Sequence, residues 1–156
     1  MVIRRAKEID MEGINRLLRQ VLMVHHKGRP DLFKANAKKY TDAELSELIK
    51  EDTTPIFVAV DEANNVLGYA FCIMQQYQNH EIMTDIRTLY IDDLCVDEQL
   101  RGQHIGKCLY EYVVNFAREQ KFYNVTLNVW CLNESAMKFY EACGLTPQKI
   151  GMEKIL

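Results

Sequence analysis

The stretch TLYIDDLCVDEQLRGQHIGK, residues 88–107, contains a predicted strand, a glycine-containing turn and the start of a predicted helix. Residues 88–96 read as a strand, and the apolar residues that follow Lys107 recur at the spacing of an amphipathic helix. A helix that begins after such a turn presents free N–H groups and the positive end of its dipole. The turn is therefore a candidate anion site.

Predicted strands and helices lie on both sides of this unit. Strands are predicted at residues 2–6, 56–60, 66–74 and 124–130, and a last strand or hairpin at Pro147–Leu156. Helices are predicted after Asp10, after Thr41 or Asp42, and from the cap Asn133 to Gly144, whereas residues 25–30 are expected to break the first helix. The order β-α-α-β-β-β-α-β-α-β indicates one α/β domain over residues 1–156, with a mixed sheet and helices on its faces.

Composition and charge argue against several classes of protein. The 156 residues are 48% hydrophobic and 26% charged, which is typical of a globular domain. Nineteen basic and 22 acidic residues give a net charge of −3, so we expect no nucleic-acid partner. The longest apolar run, residues 69–74, is too short for a membrane helix, and the N-terminus lacks the core of a signal peptide. Five cysteines without a CxxC pair predict free thiols in a reducing cytoplasm and no metal site.

The turn matches neither of the common nucleotide-binding loops. Only three residues separate Gly102 from Gly106, one fewer than in a P-loop, and Cys108 stands in place of the metal-binding hydroxyl. A GxGxxG fingerprint is also absent. Arg101 and Lys107 add positive charge beside the helix start. The interpretations that remain are a coenzyme A site, another nucleotide-binding loop, or a turn that binds nothing.

Two segments resemble the signature motifs of the GNAT family of N-acetyltransferases. Residues 101–106 follow the pyrophosphate-binding pattern Q/R-x-x-G-x-G/A, with Arg101 and Gly106 at its ends and His104 in place of its middle glycine. Residues 133–145, NESAMKFYEACGL, follow the second pattern, N-x-x-A/S-x-x-F/L-Y-x-x-x-G-F/L. The motifs occur in the family's order, with a predicted strand between them. The resemblance implies a single GNAT-like α/β domain whose mixed, mostly antiparallel central sheet carries helices on both faces.

The resemblance also implies a binding site for acetyl-CoA, the co-substrate of this family, and no metal. In such enzymes the strand before the loop splays from its neighbour, and its backbone bonds the pantetheine arm, a role that falls to Leu94 and Val96. Asn133 is similar to the family residue that hydrogen-bonds the pantetheine. The diphosphate would lie on the loop and helix start, which comprise Arg101, Gly102, Gln103, His104, Ile105, Gly106 and Lys107.

Tyr140 and Asp92 are the candidate catalytic residues. Tyr140 occupies the motif position of a phenol that protonates the leaving thiolate, and its alternative role is that of a core aromatic. The acceptor ammonium must lose a proton, and Asp92 is the candidate base or relay because it shares strand parity with the pantetheine-binding residues. Asp93 is the second candidate, and the alternative is that these carboxylates pair with nearby backbone and Arg87.

The predicted function is transfer of an acetyl group from acetyl-CoA to a primary amine by direct attack. The acidic residues favour a small cationic amine, and a peptide amine remains an alternative acceptor. A non-catalytic acyl-CoA-binding sensor module is the alternative function, and a nucleotide-binding protein is the third. Homodimers are common in the family, so we expect a homodimer, and we expect no membrane partner. The resemblance places the acceptor loops at residues 24–39 and 75–87, and within the first of them His25 and His26 are assigned to a solvated loop, with a role in shaping the acceptor site as the alternative.

Overall fold

Five strands form one sheet in the order β1-β2-β3-β4-β5, and a computed structural model describes all residues from 1 to 156. The strands are β1 (Val2–Arg5), β2 (Ile56–Val60), β3 (Val66–Gln76), β4 (Arg87–Val96) and β5 (Asn124–Leu127). The first four pair antiparallel in sequence order, and β5 pairs parallel with β4. The sheet is therefore mixed and mostly antiparallel, as predicted.

Four helices complete the fold, namely α1 (Met11–Gly28), α2 (Asp42–Lys50), α3 (Ile105–Glu119) and α4 (Glu134–Ala142). Thr41 begins α2 with a capping box: its hydroxyl accepts from the Glu44 N–H at 3.2 Å, and the Glu44 carboxylate accepts from the Thr41 N–H at 2.7 Å. Asn133 caps α4 by accepting from the Ala136 N–H at 3.2 Å. Gly144 then adopts a φ of 88°, which stops α4 where the sequence predicts.

The helices cover both faces of the sheet, and each face has its own apolar core. On one face, α1 and α2 bury residues such as Ile14 and Leu45 against Tyr69 of β3. On the other face, Val113 of α3 packs against Leu89 of β4. Burial of each such side chain contributes roughly 1.5–3 kcal/mol, so the two cores hold the sheet between its helical layers.

Strand β4 departs from regular pairing at two places. Its pairing with β3 skips Asp92, which has no partner residue, so β4 carries a β-bulge there. Its parallel pairing with β5 ends at Ile91 and Leu127. From Asp92 onward β4 therefore has a sheet neighbour on the β3 side only.

The first helix is longer than predicted. We expected residues 25–30 to break it, but α1 continues through His25 and His26 to Gly28. Pro30 disfavours helical dihedrals at the residue before it, and Arg29 has φ −140° and ψ 72°. The proline two residues past Gly28 therefore sets the end of α1, rather than the histidines.

The predicted last strand or hairpin at Pro147–Leu156 is wrong, since residues 145–156 form no helix or strand. Ile150 and Met152 of this tail are 77% and 90% exposed, so the burial that would stabilise a strand is missing. None of the helices has the length and apolar composition needed to span a membrane.

Candidate active site

An open stretch of backbone lies along the second half of β4. The Asp97 N–H donates to the Leu67 carbonyl at 2.9 Å, so the odd-numbered residues at this end of β4 bond toward β3. Backbone groups alternate in direction along a strand, so those of Leu94 and Val96 point to the side where β5 has already ended. The geometry thus leaves these two residues available to an extended ligand.

The turn after β4 forms a cradle of backbone N–H groups. Gly102 and His104 both have left-handed φ values, 81° and 61°. The His104 side chain makes no capping bond, so the N–H groups in the first turn of α3 have no side-chain acceptor from this residue. A histidine is among the non-glycine residues that tolerate this conformation, which explains how it replaces a glycine of the family motif. Arg101 and Lys107 are exposed beside this cradle.

Helix α4 carries Asn133 and Tyr140 toward the same region. The Asn133 side-chain oxygen caps the helix, which leaves its amide N–H₂ group available to a ligand. The Tyr140 ring packs edge-on against Tyr110 and Phe139, at centroid distances of 6.4 and 5.0 Å. Burial, with a smaller contribution from the charge of Asp93, raises the pKa of Tyr140 well above its usual value. Tyr140 is therefore a neutral phenol at physiological pH.

Two adjacent carboxylates occupy the bulge of β4. The Lys39 ammonium lies 3.0 Å from Asp92 Oδ2 and 3.9 Å from Asp93 Oδ2, and the Tyr69 hydroxyl donates to Asp93 at 2.8 Å. Burial raises the pKa of Asp93, and the nearby Lys39 charge and Tyr69 hydrogen bond act against it. Asp92 is more open, with 30% of its side chain exposed against 11% for Asp93.

The bulge overturns the parity argument that selected Asp92. Leu94 and Val96 pack on the α3 side of the sheet, whereas Asp92 contacts Lys39 on the α1–α2 side. An extra residue in a strand reverses the alternation of the side chains on either side of it, and a sequence pattern gives no sign of this. Asp92 and Asp93 therefore both face the same cavity, so parity does not choose between them.

Two cavities open along the C-terminal half of α1. The first, of about 170 Å³, is lined by apolar residues of α1 and by His25, Lys39 and both bulge carboxylates; we call it the α1 cavity. The second, of about 80 Å³, is lined among others by His25, Trp130 and Asn133; we call it the Trp130 cavity. His25 lines both cavities, which therefore lie next to each other, and Asn133 lines the second.

Residues 24–39 contribute to the lining of both cavities, but the sequence assigned no individual role to Lys39 or Phe33. His25, expected in a solvated loop, stacks on Phe33 at 5.0 Å, and Phe33 meets the edge of Trp130 at 5.5 Å. If the helical periodicity of α1 is extended by one more turn, His25 falls on the same side as the apolar stripe, so this signal could have predicted its position. The alternative that Arg87 pairs with the bulge carboxylates is wrong, since Arg87 donates to the Gln120 carbonyl at 2.7 Å.

Comparison with known proteins gives a family for this architecture. A model of the Acetyltransferase (GNAT) family matches residues 22–145. The chain belongs to the GNAT acetyltransferase family. The resemblance drawn from the two motifs is therefore confirmed, as is the fold that it implied. No group of three or more His, Cys, Asp and Glu side chains in this GNAT chain is arranged to hold a metal ion.

Relatives of this GNAT chain include named N-acetyltransferases. It is 27% identical over 144 residues, 91% of its length, to the peptidyl-lysine N-acetyltransferase YjaB of Salmonella typhimurium, and covers 81% of that protein. It is 34% identical over 65 residues to the glucosamine 6-phosphate N-acetyltransferase of Arabidopsis thaliana, a match that spans 42% of each protein. A crystal structure of a mutant BH1408 protein from Bacillus halodurans superposes with a TM-score of 0.95, at 31% identity, covering 100% of this chain and 99% of that one.

Proposed function

We propose that this GNAT chain transfers an acetyl group from acetyl-CoA to a primary amine by direct attack. The observation that carries the proposal is the open half of β4, which has the N–H cradle at one end and the carboxylates of the α1 cavity at the other. If acetyl-CoA lay along this strand, its diphosphate would lie at the N–H cradle and its acyl group would lie near the carboxylates. Membership of the acetyltransferase family supports the same reading.

Acetyl-CoA would be held mainly by backbone groups. Leu94 and Val96 would bond the pantetheine as an added strand does, and Asn133 would donate its amide to the same arm. The N–H groups from Gly102 to Lys107 would bind the diphosphate, assisted by the positive end of the α3 dipole. The Arg101 side chain would add charge at the rim of this site. The proposal requires no metal.

The transfer would proceed in one substitution at the thioester. The amine nitrogen attacks the carbonyl carbon, whose oxygen accepts a hydrogen bond from the Val96 N–H. The carbon–sulfur bond then breaks, and the sulfur leaves with its electron pair and takes a proton from Tyr140. The acceptor ammonium loses one proton to Asp92, directly or through water, before the attack, and the second proton of the nitrogen returns through solvent to the Tyr140 oxygen, so the products are an amide, coenzyme A and one released proton. Holding the amine beside the thioester supplies much of the rate gain.

The acceptor is proposed to be a small cationic amine. Asp92 and Asp93 present carboxylate oxygens to the α1 cavity, and the Lys39 ammonium lies 3.0 Å from Asp92, so this lining suits an ammonium group. The Salmonella relative is named as a peptidyl-lysine N-acetyltransferase, and a lysine side chain presents the same ammonium, so a peptide amine is the second acceptor class to test.

A panel of amines tests the proposal. The panel contains polyamines, aminoglycosides, glucosamine 6-phosphate and lysine peptides, and release of free thiol from acetyl-CoA is measured for each. We expect thiol release with at least one cationic amine, and a lower turnover in Asp92→Asn with unchanged acetyl-CoA affinity. Tight acetyl-CoA binding without thiol release on any amine would favour the acyl-CoA sensor, and displacement by ATP would favour a nucleotide-binding protein.

We also propose a homodimer in a reducing, cytoplasmic environment. All five cysteines are free, and Cys72 and Cys95 are buried, which suits a compartment that keeps thiols reduced. The outer edge of β5 has no partner strand, and the tail beyond Gly144 exposes several apolar side chains. A second copy of the chain would cover both features.

A further inference from the structure

An ammonium group already occupies the α1 cavity. Lys39 comes from the segment between α1 and α2, and its Nζ lies 3.0 Å from Asp92 and 3.9 Å from Asp93. The same Nζ lies over the rings of Tyr40 and Phe71, at 5.3 and 5.9 Å from their centroids. Carboxylate oxygens together with aromatic faces are the surroundings that proteins use to bind a cationic amine.

The segment that carries Lys39 is suited to let its side chain leave. Residues 29–41 form no regular helix or strand, and the Lys39 side chain is 37% exposed. The Asp92 side chain is 30% exposed, and an ion pair between two side chains of this exposure is weak and readily exchanged. Asp93 is held in place without Lys39, because Tyr69 donates to it at 2.8 Å and both residues lie on strands. Asp93 would therefore remain in position for another ammonium, with Asp92 next to it in the bulge.

We propose that Lys39 is a tethered occupant of the acceptor site, which the acceptor amine must displace. This inference rests on the proposed acetyl transfer, since it deepens the account of the same cavity. It defines the acceptor class as a primary ammonium on a slender alkyl stem, because that is the group the site already holds. Lys39 is in this sense a specificity-determining residue, because it occupies the carboxylates until an amine of the same chemistry competes for them.

The thermodynamic consequence is a measurable loss of affinity. A site that is free for only a fraction of the time binds its ligand with an apparent dissociation constant raised by the inverse of that fraction. Removing the Lys39 ammonium should therefore lower the Kd of a simple alkylammonium by roughly 3–10-fold. The exposed Lys34 belongs to the same segment and makes no ion pair, so removing its charge controls for the general electrostatic effect.

The binding experiment uses n-butylammonium and the full chain. Calorimetry compares the parent with Lys39→Met, which keeps an apolar stem, and with Lys34→Met as the matched control. We expect tighter binding in Lys39→Met alone. Equal or weaker binding in Lys39→Met would overturn the proposal, as would the same gain in Lys34→Met. If Lys39→Met does not fold, Lys39→Gln provides the same comparison.

A second measurement distinguishes displacement from simple charge attraction. In protein with carbon-13-labelled lysine, the Cε resonance of Lys39 is assigned by its absence from Lys39→Met. Saturation with n-butylammonium should move this resonance to the position of a solvated lysine, and a resonance that stays in place would contradict displacement. Neither measurement depends on acetyl transfer. Failure of acetyl-CoA binding would count against the proposed function, whereas failure of n-butylammonium binding with normal acetyl-CoA binding would count only against Lys39.

Discussion

The Tyr140 hydroxyl remains protonated because its surroundings disfavour the phenolate. Burial of the ring is the main cause, and the charge of Asp93 adds to it, so the pKa lies above the ordinary tyrosine value of ~10. A neutral phenol is a hydrogen-bond donor at any physiological pH. It can therefore stabilise the charge that develops on a leaving sulfur and then transfer a proton to it.

Removal of this one hydroxyl is the first test at the residue scale. Tyr140→Phe keeps the edge contacts with Tyr110 and Phe139, so the packing of α4 should not change. We expect kcat to fall about 100-fold, a common value for loss of a general acid, with acetyl-CoA affinity unchanged in calorimetry. Tyr123→Phe, at a ring 73% exposed, is the matched control. A Tyr140→Phe enzyme with the parent's kcat would remove this residue from the reaction.

Asp93 should make stability depend on pH. Burial raises its pKa in the folded state above the unfolded value of ~3.9, so the folded state holds the proton more tightly. The protonated carboxyl stabilises the fold fully below the unfolded pKa, and this contribution is lost as pH rises through the folded pKa. At neutral pH the ionised Asp93 is thus a cost to the folded state.

Replacement of Asp93 by Asn should therefore stabilise the protein at pH 7. Asn retains an acceptor for Tyr69 but carries no charge, so we expect a gain of about 1 kcal/mol at pH 7 that shrinks toward zero near pH 4. Urea unfolding at both pH values measures the difference. Asp85→Asn, an exposed carboxylate in the β3–β4 loop, should give no such trend. A gain that is equal at the two pH values would show that burial of charge is not its cause.

At the scale of elements, the start of α3 combines two features that act on the same ligand. The left-handed residues Gly102 and His104 turn the chain sharply, and the helix then begins at Ile105 with unpaired N–H groups. Gly106 lies in that first turn. A Cβ there would be 3.5 Å from Val96 and 3.6 Å from Phe139, ordinary contacts that a methyl group could make. A longer or charged side chain would have to extend into the space of the proposed diphosphate.

A charged substitution at Gly106 tests this element. Gly106→Glu places a carboxylate where an anion should bind, so we expect acetyl-CoA affinity to fall by at least about 100-fold through steric exclusion and like-charge repulsion. The fold should remain, because Gly favours helices less than Glu does. Asn115→Glu adds the same charge to an exposed position further along α3 and should leave the affinity unchanged. Unchanged affinity in Gly106→Glu would exclude the cradle as the diphosphate site.

The elements differ in how far the sequence could predict them, and the difference has physical causes. The cap at Asn133 and the stop at Gly144 depend on local chemistry within a few residues, so they were predicted correctly, and Thr41 is the one of the two predicted candidates, Thr41 and Asp42, that caps α2. The bulge at Asp92 depends on how β3 pairs with β4, which no local pattern encodes. The contact of Lys39 with the bulge was missed for the same reason, since 53 residues separate it from Asp92.

At the scale of the whole molecule, the bulge and the end of β5 act together. The bulge turns Asp92 and Asp93 toward the α1–α2 face of the sheet. The open backbone of β4 beyond them lies beside α4, along the edge where β5 has ended. A ligand along the open half of β4 could therefore meet groups from both helical layers at one point. Two ligands that approach from different sides of the sheet could thus react there, which is the requirement for direct transfer.

The C-terminal tail, residues 145–156, has a surface that bears on the assembly of the protein. Ile150, Met152 and Ile155 are 77%, 90% and 78% exposed, an unusual concentration of apolar surface in twelve terminal residues. Arg29 anchors this tail by donating to both carboxylate oxygens of Glu153, at 2.8 and 2.9 Å, so its position is defined in the single chain.

Because apolar side chains held in place outside the core are typical of an interface, we expect the protein to sediment as a dimer. Replacing both Ile150 and Met152 by Asp should raise the dimer dissociation constant by tenfold or more, since each loses roughly 1 kcal/mol or more of buried apolar contact. Ile82→Asp, at an 86% exposed position in the β3–β4 loop, controls for surface charge. Analytical ultracentrifugation over a range of concentrations measures the effect. A parent protein that stays monomeric, or an equal effect of Ile82→Asp, would contradict assembly through the tail.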